Sequence, residues 1–473
     1  MSVVEQLESM IVAFNEVLWG WPMMIILVGF GIFASFYLGF PQIRHLGKGF
    51  KEMWEGITGR TKSDEGTMSS FQALATAVGA QVGTGNIAGV ATAIISGGPG
   101  AVFWMWITAL VGMATIFIEA TLGQKYSETR DGELVGGPAF YLSRGFKNRG
   151  KAGLGKTLAL IFSILIIVAL GFIGNAVQSN SIATSMQAAF GTDPAMIGLV
   201  IVTLTGLIVV GGIDRIKKVA ELVVPFMAVL YVILAVIILV MFSDMILPVL
   251  EAIFVNAFSS RALLGGAAGY GVQQAVRYGI ARGLFSNEAG MGSTPNSHAV
   301  AKVDHPVTQA NVAMVGVFVD TLVVCTATAM VILVTGGNVI GIELGLEGAG
   351  VTMAAFSQGF GAWGDRLIAI MLFFMAFTTL IGWYYFAENN VKFLTNKKVF
   401  LRLYQIIVLV FIFIGAISNI SIVWELADMV NGLMVIPNII GILFLINEVK
   451  DLEKDYTNQL KTGELLEYDY KYR

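Results

Sequence analysis

The sequence predicts an all-α polytopic membrane protein with internally repeated spans, and three observations carry that prediction. Of 473 residues, 56% are hydrophobic and only 13% charged, with a mean hydropathy of +0.76. A soluble globular protein carries about 25% charged residues, and this chain lacks the polar surface to cover the domains its length would suggest. Apolar runs long enough for a bilayer core of ~30 Å recur along the whole chain. Two polar, glycine-rich windows interrupt runs that lie five spans apart. The 29 basic and 32 acidic residues give a net charge of −3, which implies no nucleic-acid partner. Cys325 is the single cysteine, and His45, His298 and His305 are scattered. Disulfides within the chain, a cysteine-based metal cage and a nucleophile–base arrangement are therefore excluded, which argues against an enzyme.

Taken in order, the first span covers 17–42. The run 66–118 is free of charge, and Ser96-Gly97-Gly98-Pro99-Gly100 divides it into two helices. Runs at 157–192, 194–213 and 222–243 follow. The stretch 263–301 is long but carries Arg277, Arg282 and Glu288. The runs 307–336 (with Asp320), 367–387, 403–424 and 429–447 complete eleven spans. Arg and Lys are retained on the cytoplasmic side of a membrane. Here they fill alternate loops: Arg44 to Lys62, Lys125 to Lys156, Arg215 to Lys218, Lys302, and Lys392 to Arg402. The intervening loops hold only Arg261 and Arg366. The expected topology in the cell membrane places the N-terminus outside and the C-terminus in the cytoplasm. The segment before the first span has Glu5, Glu8 and Glu16 and no base, which argues against a cleaved signal peptide.

Glycine is the informative residue, at 55 of 473 or about 12% against a usual ~7%. One window, Gly79-Ala80-Gln81-Val82-Gly83-Thr84-Gly85-Asn86, lies in the second span. The other runs from Ser286 through Asn287, Glu288, Gly290, Met291 and Gly292 to Pro295 in the seventh. Each helical glycine costs roughly 1 kcal/mol relative to alanine in water, so both helices are expected to break. Broken backbone at membrane depth is tolerated only where it is buried in protein or lines a cavity. Two interrupted helices in corresponding places of inverted halves point to a transporter binding site. The Gly83-Thr84-Gly85 run with Gly89 is no nucleotide loop, because it lies inside an apolar helix with no acid before Glu119.

At these residues the chain resembles the alanine or glycine:cation symporter family. The resemblance rests on Gly83-Thr84-Gly85-Asn86-Ile87-Ala88-Gly89-Val90, on Gly97-Gly98-Pro99-Gly100-Ala101-Val102-Phe103-Trp104-Met105-Trp106, and on Gly283-Leu284-Phe285-Ser286-Asn287-Glu288-Ala289-Gly290. It rests also on Gly136-Gly137-Pro138-Ala139-Phe140-Tyr141 and on Ala376-Phe377-Thr378-Thr379-Leu380-Ile381-Gly382-Trp383-Tyr384-Tyr385. It covers nearly the whole chain. It implies a LeuT-type fold of the APC superfamily, five plus five inverted spans preceded by one extra span. The second span is then core helix 1 and the seventh core helix 6. The organisation expected is an outer N-terminus, extra span and cytoplasmic loop at 1–66, a first repeat at 67–243, an extracellular connection at 244–262, a second repeat at 263–447 and a cytoplasmic tail at 448–473. The activity implied is Na+-coupled symport of alanine and glycine. Partners are the amino acid, Na+ and the lipid bilayer, with no organic cofactor and no obligate protein partner. The alternatives are a proton-coupled or broader neutral amino acid transporter on the same fold.

An amino acid zwitterion at mid-membrane needs donors for its carboxylate and acceptors for its ammonium. The start of a half-helix presents free N–H groups and a positive dipole end, so Thr84, Gly85 and Asn86 are expected at the carboxylate. Phe172, Asn175 and Gln178 in core helix 3 are expected on one face toward the ligand, with Asn287, Met291, Thr379 and Trp383 around it. Na+, as a hard cation, prefers oxygen. The resemblance places one sodium site between core helices 1 and 8, with the carbonyls of Gly79, Val82 and Met375 and the hydroxyls of Thr378 and Thr379. Charges within spans are functional by default. Glu288, six residues after Arg282, is expected to pair with it and hold the break, with a direct cation or proton role for Glu288 or Asp320 as the second reading; Arg277 has no assigned partner.

Overall fold

The computed structural model of the chain describes residues 3–58, 64–258, 271–418, 422–463 and 466–473. Arg60, Lys62, Arg261 and the expected start of core helix 6 before Gly271 lie outside these residues. Among the described residues, eight helices are long and apolar enough to cross a membrane, and the bent pair Ser70–Gln81 with Gly85–Gly97 makes a ninth. Two of the eleven expected spans are helical in the right place but miss that standard. Pro194–Val209 has only 16 residues, and Gly271–Asn287 has 17 and carries Arg277 and Arg282.

Before core helix 1, Val3–Leu18 leads into the extra span, Trp21–Tyr37, which ends before Phe40 turns left-handed at φ 58°. A reciprocal cap starts core helix 1: the Ser69 hydroxyl accepts the Gln72 N–H at 3.2 Å, and the Gln72 side chain accepts the Ser69 N–H at 3.0 Å. Core helix 2 is Gly100–Lys125 and core helix 3 runs through Ala152–Ile166 to Asn175–Phe190. Core helix 5 is Gly212–Met241, core helix 7 runs from Pro306–Val317 through Phe318–Cys325 to Thr326–Val334, and core helix 8 is Trp363–Leu394. Core helix 9 is Lys398–Ile417 and core helix 10 lies in the long Ile422–Thr462. Prolines at the first turn of several helices cost nothing, since those N–H groups have no helical partner anyway.

Core helices 2 and 6 pack in close contact, and the sequence shows why. Gly279 and Gly283 are four apart on one face. A Cβ at Gly279 would stand 2.3 Å from the Ala101 carbonyl, and one at Gly283 2.3 Å from Thr108 Oγ1. Small residues at this spacing let backbones approach where lipid offers no hydrophobic drive. Three wide, π-type turns, Gly85–Gly89, Ile167–Gly174 and Phe318–Cys325, interrupt core helices 1, 3 and 7 at the level of the two breaks. Such turns re-aim side chains and gather at functional sites. On the Lys/Arg-rich face the start of core helix 1 is tied to the end of core helix 6. Met68 N–H donates to the Val300 carbonyl at 3.1 Å, and Lys302 N–H to the Met68 carbonyl at 2.8 Å.

Candidate functional site

Core helix 1 bends by 49° between Gln81 and Gly85. The break exposes carbonyls, and they face core helix 8. Thr379 Oγ1 lies 3.0 Å from the Gly79 carbonyl, 3.4 Å from that of Val82 and 3.1 Å from that of Met375. One hydroxyl proton cannot serve three carbonyls at full strength, so this is a convergence of oxygen acceptors. The approach needs glycine: a Cβ at Gly83 would stand 2.3 Å from Thr379 Oγ1. Thr378, expected in the same group, meets only one of the three carbonyls. Its hydroxyl donates to the Met375 carbonyl at 2.9 Å and touches Met227 Sδ at 3.4 Å, the back-bonding usual for threonine in an apolar helix.

Asn86 stabilises the broken turn and connects it outward. Its Oδ1 accepts the Gly83 N–H at 2.8 Å, and its Nδ2 donates to Asp320 Oδ1 at 2.7 Å. The Ser286 hydroxyl lies 3.1 and 3.0 Å from the two Asp320 oxygens, and Thr321 donates to Oδ2 at 2.7 Å. The wide turn of core helix 7 thus offers one carboxylate to both broken helices. Gln81 adds a second tie, donating to the Asn287 carbonyl at 2.6 Å.

The break of core helix 6 is longer and more contorted. Glu288, Gly290 and Gly292 have φ of 57, 88 and 77°. The expected Arg282–Glu288 pair is overturned. Glu288 follows the last helical residue, Asn287, and its left-handed backbone turns it toward core helix 8. There Trp383 Nε1 donates to Glu288 Oε1 at 2.7 Å, and Ser293 donates to Oε2. Arg282, still on the helix, instead faces Asp428 of core helix 10 at 3.8 Å. Behind the break stands an acid for which the sequence suggests no role. Glu119 of core helix 2 accepts the N–H groups of Gly290 at 3.2 Å and Gly292 at 3.0 Å, and the Asn438 side chain. Its signal was legible as an acid in mid-span. Glu119, Glu288 and Asp320 are all buried, and among the described residues no basic side chain forms an ion pair with any of them.

A cavity of about 560 Å³ reaches down to the break of core helix 1, lined among others by Thr84, Gly85, Arg282, Phe285, Gly348 and Asp428. It opens on the face opposite the Lys/Arg-rich loops. Gln178 adjoins it, donating to Thr84 Oγ1 at 3.1 Å, while its buried Oε1 has no partner. Asn175 bonds back to the Gly171 carbonyl at 3.2 Å. Phe172 does not join them. Its ring packs against Tyr404 and Phe411 of core helix 9, with centroids 5.8 and 5.2 Å away. The wide turn Ile167–Gly174 is the reason: residues three apart across it no longer share a face. Trp383 and Met291 are buried at the second break and do not line the cavity, and Trp383 stands so close to Gly174 that a Cβ there would lie 2.7 Å from its ring.

Two broken helices meeting at buried polar groups, with a cavity reaching down to the first break, define a secondary transporter of the helical, inverted-repeat class. The sodium:alanine symporter family model matches residues 4–470, and the chain belongs to that family. It is a transporter and not an enzyme. The sodium/alanine symporter AgcS of Methanococcus maripaludis is 41% identical over 96% of this chain and 99% of its own length. The probable sodium/glutamine symporter GlnT of Bacillus subtilis is 41% identical over 97% of this chain and 92% of its own. Among solved structures, MhsT in complex with L-phenylalanine superposes with a TM-score of 0.57 over 83% of this chain and 93% of that chain. At 15% identity that likeness speaks for the LeuT-type fold alone.

Proposed function

We propose that this chain is a Na+-coupled symporter carrying small neutral amino acids, alanine and glycine, into the cell by alternating access. The observation that carries the reading is the oxygen cluster of Gly79, Val82, Met375 and Thr379. Oxygens bound at about 2.4 Å and at right angles around a hard cation stand about 3.4 Å apart, and the Thr379 oxygen lies 3.0 to 3.4 Å from its three carbonyls. The amino acid's carboxylate would take the N–H groups that start the second half of core helix 1, at Thr84, Gly85 and Asn86, one turn from that cation. The unpartnered Gln178 oxygen is an acceptor for the ammonium. Asn287 and Thr379 border the substrate from core helices 6 and 8. Trp383, wedged between Gly174 and Glu288, leaves little room beside the break, which favours a small side chain. With the Lys/Arg-rich face in the cytoplasm, the cavity is the outward vestibule and the N-terminus lies outside. The domain limits at 67–243 and 263–447 follow the two repeats.

The test is uptake of L-alanine, D-alanine and glycine by protein reconstituted in vesicles, with Na+ replaced by choline at fixed pH. The account expects accumulation only with an inward Na+ gradient. Accumulation in choline, driven by an inward proton gradient, would favour the second reading. That reading has its own support in the three buried carboxyl groups without basic partners. Strong uptake of glutamine or leucine would replace the substrate class but leave the coupling standing.

A further inference from the structure

The non-helical stretch of core helix 6 poses a problem that the cation and substrate readings leave unsolved. Backbone released from a helix at membrane depth must find partners, because no water is there to supply them. Carbonyls can face a cation, but N–H groups cannot. At Gly290 and Gly292 both N–H groups point toward core helix 2 and meet the Glu119 carboxylate at 3.2 and 3.0 Å. The third donor is Asn438, whose amide also donates to the Gly290 carbonyl at 2.9 Å. Tyr141 donates to Asn438 Oδ1 and so orients it. Four segments therefore meet in this network: core helices 2, 6 and 10 and the helix Pro138–Asn148. On the other side of the same stretch, Glu288 holds Trp383 at 2.7 Å.

We propose that Glu119 is a positioning residue: its carboxylate fixes the backbone of 288–294 in its left-handed path, and thereby seats Glu288 and Trp383 in the packed wall beside the break of core helix 1, where the substrate is proposed to bind. This rests on the symporter reading for what the site holds, but not for the geometry of the cradle. A carboxylate suits the task because all three of its partners are donors and it carries only acceptors. The neutral isostere glutamine cannot replace it. One of its two terminal atoms becomes an NH2 group, which then faces at least one N–H group that has no other partner, deep in the protein.

The experiment compares wild type with Glu119→Gln, Glu119→Asp and Asn438→Ala, all purified in detergent and reconstituted. Alanine KM is measured at saturating Na+, the Na+ half-saturation at saturating alanine, and backbone hydrogen exchange of the 288–294 segment by mass spectrometry. Glu119→Gln is expected to raise KM about tenfold or more, the effect of orphaning one or two buried donors, and to speed exchange of 288–294 while 90–97 stays as in wild type. The Na+ half-saturation should stay within about twofold, since the oxygen cluster lies on the other broken helix. Asn438→Ala removes one donor to the carboxylate and the bond to the Gly290 carbonyl but leaves both glycine N–H groups on Glu119, so its KM should rise less. A purely structural role would lower the folded yield and the maximal rate and leave KM alone; that result overturns the proposal. Should Glu119→Gln fail to fold, Glu119→Asp decides. It keeps the charge one methylene short, and an unchanged KM together with unchanged exchange rejects the idea. If wild type transports no alanine, the symporter reading fails, and the exchange measurement alone still judges the cradle.

Discussion

The two broken helices solve the same problem in opposite ways. Core helix 1 breaks at glycines without a charged residue of its own, resumes at Gly85, and leaves carbonyls facing Thr379. Core helix 6 breaks over a longer stretch with three left-handed residues, and its freed N–H groups are taken by a carboxylate from behind. Hence the first break leaves three carbonyls sharing one hydroxyl, the arrangement on which the proposed cation site rests, while the freed N–H groups of the second are taken up within the protein. Asp320, shared between Asn86 and Ser286, ties the two together.

The steric consequence gives the largest expected effect. Gly83→Ala should reduce Na+-driven alanine uptake roughly 10- to 100-fold at normal abundance, because overpacking typically costs about 1–3 kcal/mol and here the intruding Cβ meets Thr379 Oγ1. Gly85→Ala, whose nearest neighbour would be Phe285 at 3.5 Å, should remain within about threefold. Equal losses in both variants would break the distinction between a glycine crowded by Thr379 and one with room for a methyl group.

Next comes the tie between the breaks. Asp320→Asn places an amide donor among three donors, so it should weaken alanine binding and Na+ binding together, each by about tenfold. A loss confined to one of them, in equilibrium binding of labelled alanine at several Na+ concentrations, would show that Asp320 serves one break only.

Phe172→Ala sharpens the wall assignment. Since Phe172 packs on core helix 9, its removal should lower the melting temperature by a few degrees, while leucine still fails to compete with alanine. Leucine uptake in this variant would return Phe172 to the pocket. The smallest effect is expected at the vestibule. Arg282 and Asp428 are 3.8 Å apart and partly exposed, and such pairs are worth about 0–1 kcal/mol, so Asp428→Asn should change alanine KM by no more than about fivefold.

The class of fold and the location of both breaks were legible because they rest on local signals: apolar run length, Lys/Arg alternation and glycine density. The convergence of Gly79, Val82, Met375 and Thr379 came from the family resemblance; no spacing rule brings residues 300 positions apart together. What could not be read depends on backbone path. The reversal at Glu288 swings that carboxylate from Arg282 to Trp383, and the wide turn before Asn175 rotates Phe172 off the ligand face. Glu119 carried a readable signal, an acid in mid-span, but its partners are backbone N–H groups, which leave no trace in a sequence.

The most direct test of the central claim is a Na+ titration of labelled alanine binding at a fixed subsaturating alanine concentration, comparing Thr379→Ala with Thr378→Ala. The account predicts an increase of about tenfold in the Na+ half-saturation for Thr379→Ala, the worth of one lost ligand in a closed site, and a change within about twofold for Thr378→Ala. An unchanged Na+ dependence in well-folded Thr379→Ala, or a larger shift in Thr378→Ala, would contradict it.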